Sequence, residues 1–266
     1  MSKSTPSNLS PVPPFRVVIT GGSGGLGLAI ARAFAREGAS LWLIARDPKK
    51  LKATRKRLTA CYGGSVRISS ANLVSPAEIQ GVTAQIAATW DSVTALINNA
   101  GLARFVPLDK VRPDDLRAQI QINLLTPYLL IQALLAPLTA ARGCVINISS
   151  SSAQRHLIER PASVYSMSKG GLNALTQSLA CELGVRGVRI NAIAPGTLDT
   201  GQHQRTLSRL SPSERAAFSK RLARSFPLGR IGRPEDVAEL AVFLASPEAA
   251  WLTGAVIPVD GGLTTT

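Results

Sequence analysis

The sequence predicts an α/β domain in which one doubly wound parallel sheet of about seven strands carries helices on both faces, and two features of the chain predict it. Short apolar runs bounded by turn residues alternate with helix-length segments whose apolar residues are spaced three and four apart. Most of these runs are apolar at nearly every position, as strands covered on both faces must be, and strict strand and helix alternation builds βαβ units.

In chain order the strands are read at 17–20, 41–45, 66–69, 95–97, 144–148, 188–193 and 256–259, with helices at 28–37, 76–89, 113–138, 164–183 and 234–244. The most apolar stretch, 124–138, contains Pro127, Gln132 and Pro137. It falls short of the about 18 apolar residues that a membrane span needs, so it reads as core or subunit interface. With 45% hydrophobic residues in 266, the chain can bury a substantial core unaided. No internal repeat or Gly/Ser linker divides it, so residues 15–266 read as one domain with a mobile insertion at about 197–225. Residues 1–14 are rich in Ser and Pro and lack the apolar stretch of about 7–15 residues found in secretory signals. They read as a disordered tail on a cytoplasmic protein.

Cys61, Cys144 and Cys181 are odd in number and far apart, and two histidines complete no zinc pattern, which disfavours a disulfide scaffold and a structural metal. The balance of 30 basic against 16 acidic residues gives +14, gathered in two runs. Arg46, Lys49, Lys50, Lys52, Arg55, Lys56 and Arg57 form the first; Arg205, Arg209, Arg215, Lys220, Arg221 and Arg224 form the second. Neither interleaves aromatics or matches a nucleic-acid recognition motif, so a solubilising surface is the preferred reading over nucleic acid.

Directly after the first strand, Thr20-Gly21-Gly22-Ser23-Gly24-Gly25-Leu26-Gly27 opens into a helix. Glycines there allow a tight turn and close approach of a pyrophosphate, which the free N–H groups and positive end of a helix then hold. That placement inside a first βαβ unit predicts a dinucleotide site through Gly21, Ser23, Gly25, Leu26 and Gly27, in a Rossmann arrangement. The second strand ends at Ala45-Arg46, where an acid that would pair with ribose hydroxyls is missing and a guanidinium can instead grip a 2′-phosphate, which predicts NADP(H).

The glycine spacing, together with Asn98-Asn99-Ala100-Gly101, Tyr165-Ser166-Met167-Ser168-Lys169 and Pro195-Gly196, resembles the short-chain dehydrogenase/reductase family over nearly the whole chain. Within it the pattern is most similar to 3-oxoacyl-(acyl-carrier-protein) reductases. The resemblance implies an NADP(H)-dependent reduction of a ketone to a secondary alcohol, with Asn123, Ser150, Tyr165 and Lys169 catalytic. It further implies that Asn72 and Leu73 flank the adenine, that Asn99, Ala100 and Gly101 support the adenine-side ribose, and that Pro195, Gly196, Leu198 and Thr200 meet the nicotinamide. Asn123 would position a water behind Lys169. A homo-oligomer, tetramer or dimer, is expected, built on the helices after Pro113 and Val164.

The chemistry of these groups is coherent in itself. Hydride transfer to a ketone leaves charge on oxygen, so a proton donor must stand beside it. Tyr165 is the candidate; a phenol titrates near 10, and Lys169, one helical turn away, would favour the phenolate while holding the nicotinamide ribose. The serine is ambiguous: the strand end points to Ser150, the count back from Tyr165 to Ser152, and Ser150 is preferred because the following loop can absorb extra residues. Arg155, His156 and Arg160 before the tyrosine, with the second basic run, would draw an anionic substrate or carrier, and Arg142 and Arg186 are candidate docking residues for an acidic carrier. The substrate candidates are therefore a 3-oxoacyl thioester, free or carrier-bound, or a sugar, steroid or other small ketone. A cofactor-sensing binding protein is the reading from another class, disfavoured because all four catalytic residues are present. Enoyl reductases of the superfamily space tyrosine and lysine further apart.

Overall fold

The computed structural model describes residues 15–156, 160–201, 208 and 210–265. Seven strands, β1 (Arg16–Thr20), β2 (Ser40–Ala45), β3 (Val66–Ser70), β4 (Ala95–Asn98), β5 (Cys144–Ile148), β6 (Arg189–Pro195) and β7 (Val256–Val259), pair in parallel in the order β3-β2-β1-β4-β5-β6-β7. Chain direction across the sheet reverses between β1 and β4, which opens a crevice at the carboxyl ends of the strands.

Period-two side-chain alternation splits the apolar residues into two cores. Val17, Ile19, Leu41, Leu43, Ala95 and Ile97 face α1 (Gly25–Arg36), α2 (Pro48–Tyr62) and a C-terminal helix, while Val18, Trp42, Ile44, Leu96 and Val145 face the helices of the other side. Phe34 and Ile30 of α1 are fully buried in the first core; Ile79 and Ile86 of α3 (Pro76–Thr89) lie in the second. Each such side chain contributes about 1.5–3 kcal/mol by leaving water. β3 forms an edge and alternates between half-buried and exposed positions, so it is a half-covered strand.

Helix starts follow local chemistry. Asp47 caps α2 by accepting from the Lys49 and Lys50 amides, with Pro48 behind it and Gly63, at φ 71°, ending the helix. Ser75 and Pro76 open α3 in the same way. The basic α2 buries only Leu51, Thr54 and Leu58 among its helical residues, which is why apolar spacing did not reveal it.

Two stretches differ from expectation. The single helix expected at 113–138 is α4 (Pro113–Ile120), a π-helical segment (Gln121–Leu125), α5 (Thr126–Ala133) and α6 (Leu135–Ala140). Pro127 and Pro137 have no N–H to give to the preceding turn, and the chain adjusts by widening before one and breaking at Leu134 before the other. The insertion expected to be mobile at about 197–225 contains a helix, α8 (Pro212–Arg224), after the long α7 (Ser163–Gly184) and before α9 (Pro234–Ala245). α8 is polar overall with Pro212 at its start, so punctuation and charge masked it as loop. Residues 1–14, expected as a tail, lie outside the described residues, as do Arg205 and Arg209. None of the described helices is long and apolar enough to cross a membrane.

Candidate active site

The glycine loop is held by sterics and by one hydroxyl. Gly21 adopts φ 69° and donates its amide to Ile44 O at 2.7 Å, and a Cβ there would lie 2.7 Å from Asn99 Nδ2. A Cβ on Gly27 would come within 2.3 Å of Gly21 O, so helix and turn touch backbone to backbone. Buried Thr20 accepts from the Asn99 and Ala100 amides, both at 2.9 Å, while Asn99 Nδ2 donates to Thr20 O at 2.8 Å. The turn after β1 and the turn after β4 are thereby one unit.

The first turn of α1 has no acidic residue and no side-chain cap, and space beside Gly24 is open. Its amides, around Ser23, Gly25 and Leu26, therefore fit a pyrophosphate. Arg46 is exposed at the end of β2, and its guanidinium has no partner among the described residues. Its neighbour Asp47 is engaged in capping α2; the Lys50 and Lys49 amides and charges hold its pKa below the ordinary carboxylate range against a desolvation penalty. The donor set at this corner thus suits a phosphate. Asn72 is exposed with its side chain accepting from Val74 N, and Leu73 is buried with its carbonyl accepting from Thr126 Oγ1 at 2.5 Å.

Across the crevice, Gly196 donates to Val259 O at 3.0 Å and packs against Asp260, while Leu198 pairs with Gly232 and the Asp199 amide donates to Gly232 O. These bonds seat the segment after Pro195 so that the Thr200 side chain faces Gly25, 3.9 Å from where its Cβ would be.

Between these walls stand Ser150, Tyr165 and Lys169. The Ser150 hydroxyl accepts from Ser152 N at 3.1 Å and favours ionisation of the Tyr165 phenol, which sets Ser150 beside the tyrosine. Lys169 is buried, donates to Ile148 O at 2.7 Å and stands 5.9 Å from the Tyr165 ring centroid. Burial pulls its pKa from 10.5 to about 8. Burial pushes the Tyr165 phenol up, opposed by the Ser150 hydrogen bond and by the charge of Arg160. Asn123, in the π segment, clamps the Leu102 backbone through both amide atoms at 2.8 Å and donates to Ser168 Oγ at 3.0 Å. A Cβ on Gly101 would lie 3.1 Å from Asn123 Oδ1 and 3.7 Å from Lys169 Nζ, which places both beside the NNAG turn.

Several residues that sequence reasoning passed over support this group. Asn98 Nδ2 donates to Asn147 Oδ1 and Asn147 Nδ2 to Thr176 Oγ1, each at 2.9 Å, which ties β4 and β5 to α7 in the interior. Ser149 donates to Asn173 at 2.6 Å. The ring of Phe105 meets Tyr165 edge-on at 5.7 Å. Asn98 was visible only as part of a motif; Phe105 carried no spacing signal.

Not every expected residue joins the site. Arg142 and Arg186, named as candidate docking residues for an acidic carrier, precede β5 and β6 at the amino-terminal edge of the sheet and are not among the residues gathered around Tyr165. An open groove of about 510 Å³ beside β3, lined by Trp42, Arg55, Arg67 and Gln85, is likewise remote from Tyr165.

A family model described as Enoyl-(Acyl carrier protein) reductase matches residues 21–264. The chain belongs to the short-chain dehydrogenase/reductase family. It is 38% identical over 253 residues to 2-(S)-hydroxypropyl-CoM dehydrogenase 3 of Xanthobacter autotrophicus, covering 93% of this chain and 96% of that protein. It is 32% identical over 250 residues to a 3-oxoacyl-(acyl-carrier-protein) reductase of Chlamydia pneumoniae, covering 94% and 96%. L-Sorbose reductase of Gluconobacter frateurii, solved with NADPH and L-sorbose, matches with a TM-score of 0.90 at 26% identity, covering 95% of this chain and 97% of that one. The protein is accordingly an oxidoreductase of this short-chain family with a Rossmann-type fold.

The buried Lys169 of this family member makes a pH prediction. Its folded pKa, about 8, lies below the unfolded value, so burying the ammonium costs stability below about pH 8 and the cost fades as pH rises toward 10.5. Lys169→Met should therefore raise unfolding stability by on the order of 1–3 kcal/mol at pH 7, a gain that shrinks to nothing above about pH 10.5. Urea unfolding at several pH values measures it, and a gain independent of pH would refute the buried-ammonium account.

Proposed function

We propose that the protein is an NADP(H)-dependent reductase of ketones to secondary alcohols, with residues 15–266 as its single cofactor-binding and catalytic domain. The observation that carries this reading is the convergence of Ser150, Tyr165 and Lys169 opposite Thr200 and the glycine turn. Bound NADPH supplies the hydride. Tyr165 donates its proton to the carbonyl oxygen, and the Ser150 hydroxyl holds that oxygen in register. Lys169 stands where it can hold a ribose hydroxyl and restore the phenol, and Asn123 positions the lysine side of the pocket. The unpaired Arg46 and the occupied Asp47 support NADP(H) over NAD(H), as does the NADPH named with L-sorbose reductase.

Among substrates, a 3-oxoacyl thioester is supported by similarity to the Chlamydia reductase. Similarity to L-sorbose reductase and to galactitol 2-dehydrogenase of Cereibacter sphaeroides favours a sugar or polyol instead. The four-residue spacing of Tyr165 and Lys169 argues against enoyl reduction. The complete set of Asn123, Ser150, Tyr165 and Lys169 argues against a cofactor sensor without turnover. Leu125 and Tyr128 before and within α5, with Met167 on α7, are exposed apolar side chains that support a homo-oligomer through these helices.

Tyr165→Phe should bind NADPH as the parent does yet lose kcat by about 10²–10⁴-fold, assayed by NADPH oxidation against acetoacetyl thioesters, sugars and small ketones. Near-normal turnover would remove Tyr165 as proton donor. Arg46→Asp should raise KM for NADPH about tenfold or more and improve NADH, since a charge-assisted contact is replaced by repulsion. An unchanged KM for NADPH would detach Arg46 from the phosphate. Sedimentation should show a dimer or tetramer, and a species with the mass of one chain would exclude the helix interface.

A further inference from the structure

Three arginines stand near the Tyr165 pocket, and their surroundings differ. Arg104 is ion-paired with Asp115. Arg155 donates to the carbonyl of Leu263. Arg160 stacks instead: its guanidinium carbon lies 3.8 Å from the centroid of the Phe105 ring, whose other contact is the Tyr165 ring, edge-on at 5.7 Å. No carboxylate pairs with Arg160 among the described residues.

Arg160 is solvent-exposed at the edge of the pocket; partial burial lowers its pKa, and its charge helps the Tyr165 phenol ionise. A guanidinium held over an aromatic face keeps its planar donor fork free to bind an acid in bidentate fashion. Among the described residues no carboxylate competes for that fork. An anion bound beside the Tyr165 pocket would find that fork available.

We propose that Arg160 sets substrate choice by binding the carboxylate or sulfonate of a small anionic ketone whose carbonyl is held by Tyr165 and Ser150. This rests on the reductase reading above and narrows its substrate class to short oxo acids and the matching hydroxy acids. One aromatic ring separates the guanidinium from the phenol, so the acid group lies only a few bonds from the carbonyl. A neutral sugar would leave Arg160 unpaired, and a long carrier arm would place its charge too far away.

Matched substrates test the contact. NADPH oxidation is compared for acetoacetate and levulinate against their methyl esters, with the native protein, Arg160→Gln and Arg160→Lys. The native kcat/KM should favour the acids over the esters by about tenfold or more, the scale of one charged hydrogen-bonded pair. Arg160→Gln should bring that ratio close to one, mainly through KM of the acid, and Arg160→Lys should restore part of it. A ratio equal in native protein and Arg160→Gln overturns the proposal. So does a rise confined to KM for NADPH, which would assign the guanidinium to the cofactor.

Binding without turnover gives a second readout. Calorimetric titration of the protein with levulinate or propanesulfonate in the presence of NADP should show about tenfold weaker binding in Arg160→Gln. Equal affinity in both proteins overturns the anion contact whether or not any ketone is reduced. Tight anion binding with no ketone reduced would instead defeat the reductase reading and leave the anion site standing.

Discussion

The Thr20 hydroxyl is the contact on which the rest of the site depends. It accepts two amides from the turn after β4, and Asn99 returns a bond to its carbonyl, so the central strands of the sheet end in a single rigid knot. Each buried donor there would cost about 1–3 kcal/mol if left unpaired, which removes alternative arrangements. The knot seats the glycine turn against Asn99 and presents the first amides of α1 to the crevice. The same strand, β4, passes through Asn98 and Asn147 to Thr176 on α7. Because Tyr165 and Lys169 ride on α7, the glycine turn and these two side chains are registered to each other through buried hydrogen bonds and not through surface loops.

That rigidity explains how the molecule tolerates an unfavourable group. Lys169 is an ammonium withdrawn from water, with one carbonyl for company. A mobile helix would let it swing to solvent and recover its hydration. Held by α7 at the back of the pocket, it stays where burial has already moved its titration toward neutrality, which is what proton exchange near pH 7 requires. Tyr165 is raised by the same burial, and the opposing influences come from Ser150 and from Arg160. The sequence suggested Lys169 as the cation that aids the phenol; in the structure the charge that does so is that of Arg160, from a loop no motif marks.

Legibility followed local physics. All seven strands were readable because a strand covered on both faces writes its burial into consecutive residues, and the strand limits shift by two residues at most. The strand-to-helix glycine turn and the one-turn spacing of Tyr165 and Lys169 were readable as positions because they are tied to short spacings. Helix α2 was not, since a solvated basic helix has little apolar period, and the break at Leu134 was not, because it depends on how two prolines divide one apolar run. The choice between Ser150 and Ser152 turned on the course of the loop toward Tyr165, which spacing alone left open. Phe105 and Arg160 meet only after α7 packs against the turn beyond β4, so no window of sequence contains their contact. Arg142 and Arg186 precede β5 and β6 at the amino-terminal edge of the sheet, so any carrier docking there would be on that edge.

That last contrast separates two uses of positive charge in one chain. The excess of +14 includes the basic run on α2 and the arginines and lysine of α8, on helices at the surface. Charges of that kind raise the encounter rate with any anion, cofactor or substrate, and salt screens them over about 10 Å. They discriminate little, because water competes for every one of them. Arg160 differs in that one side of its guanidinium lies on the Phe105 ring, which in turn meets the Tyr165 ring edge-on. Its geometry is thereby set before a ligand arrives. Net charge is thus spread over surface helices, while position, and not charge count, sets apart the one guanidinium stacked on Phe105 beside the Tyr165 ring.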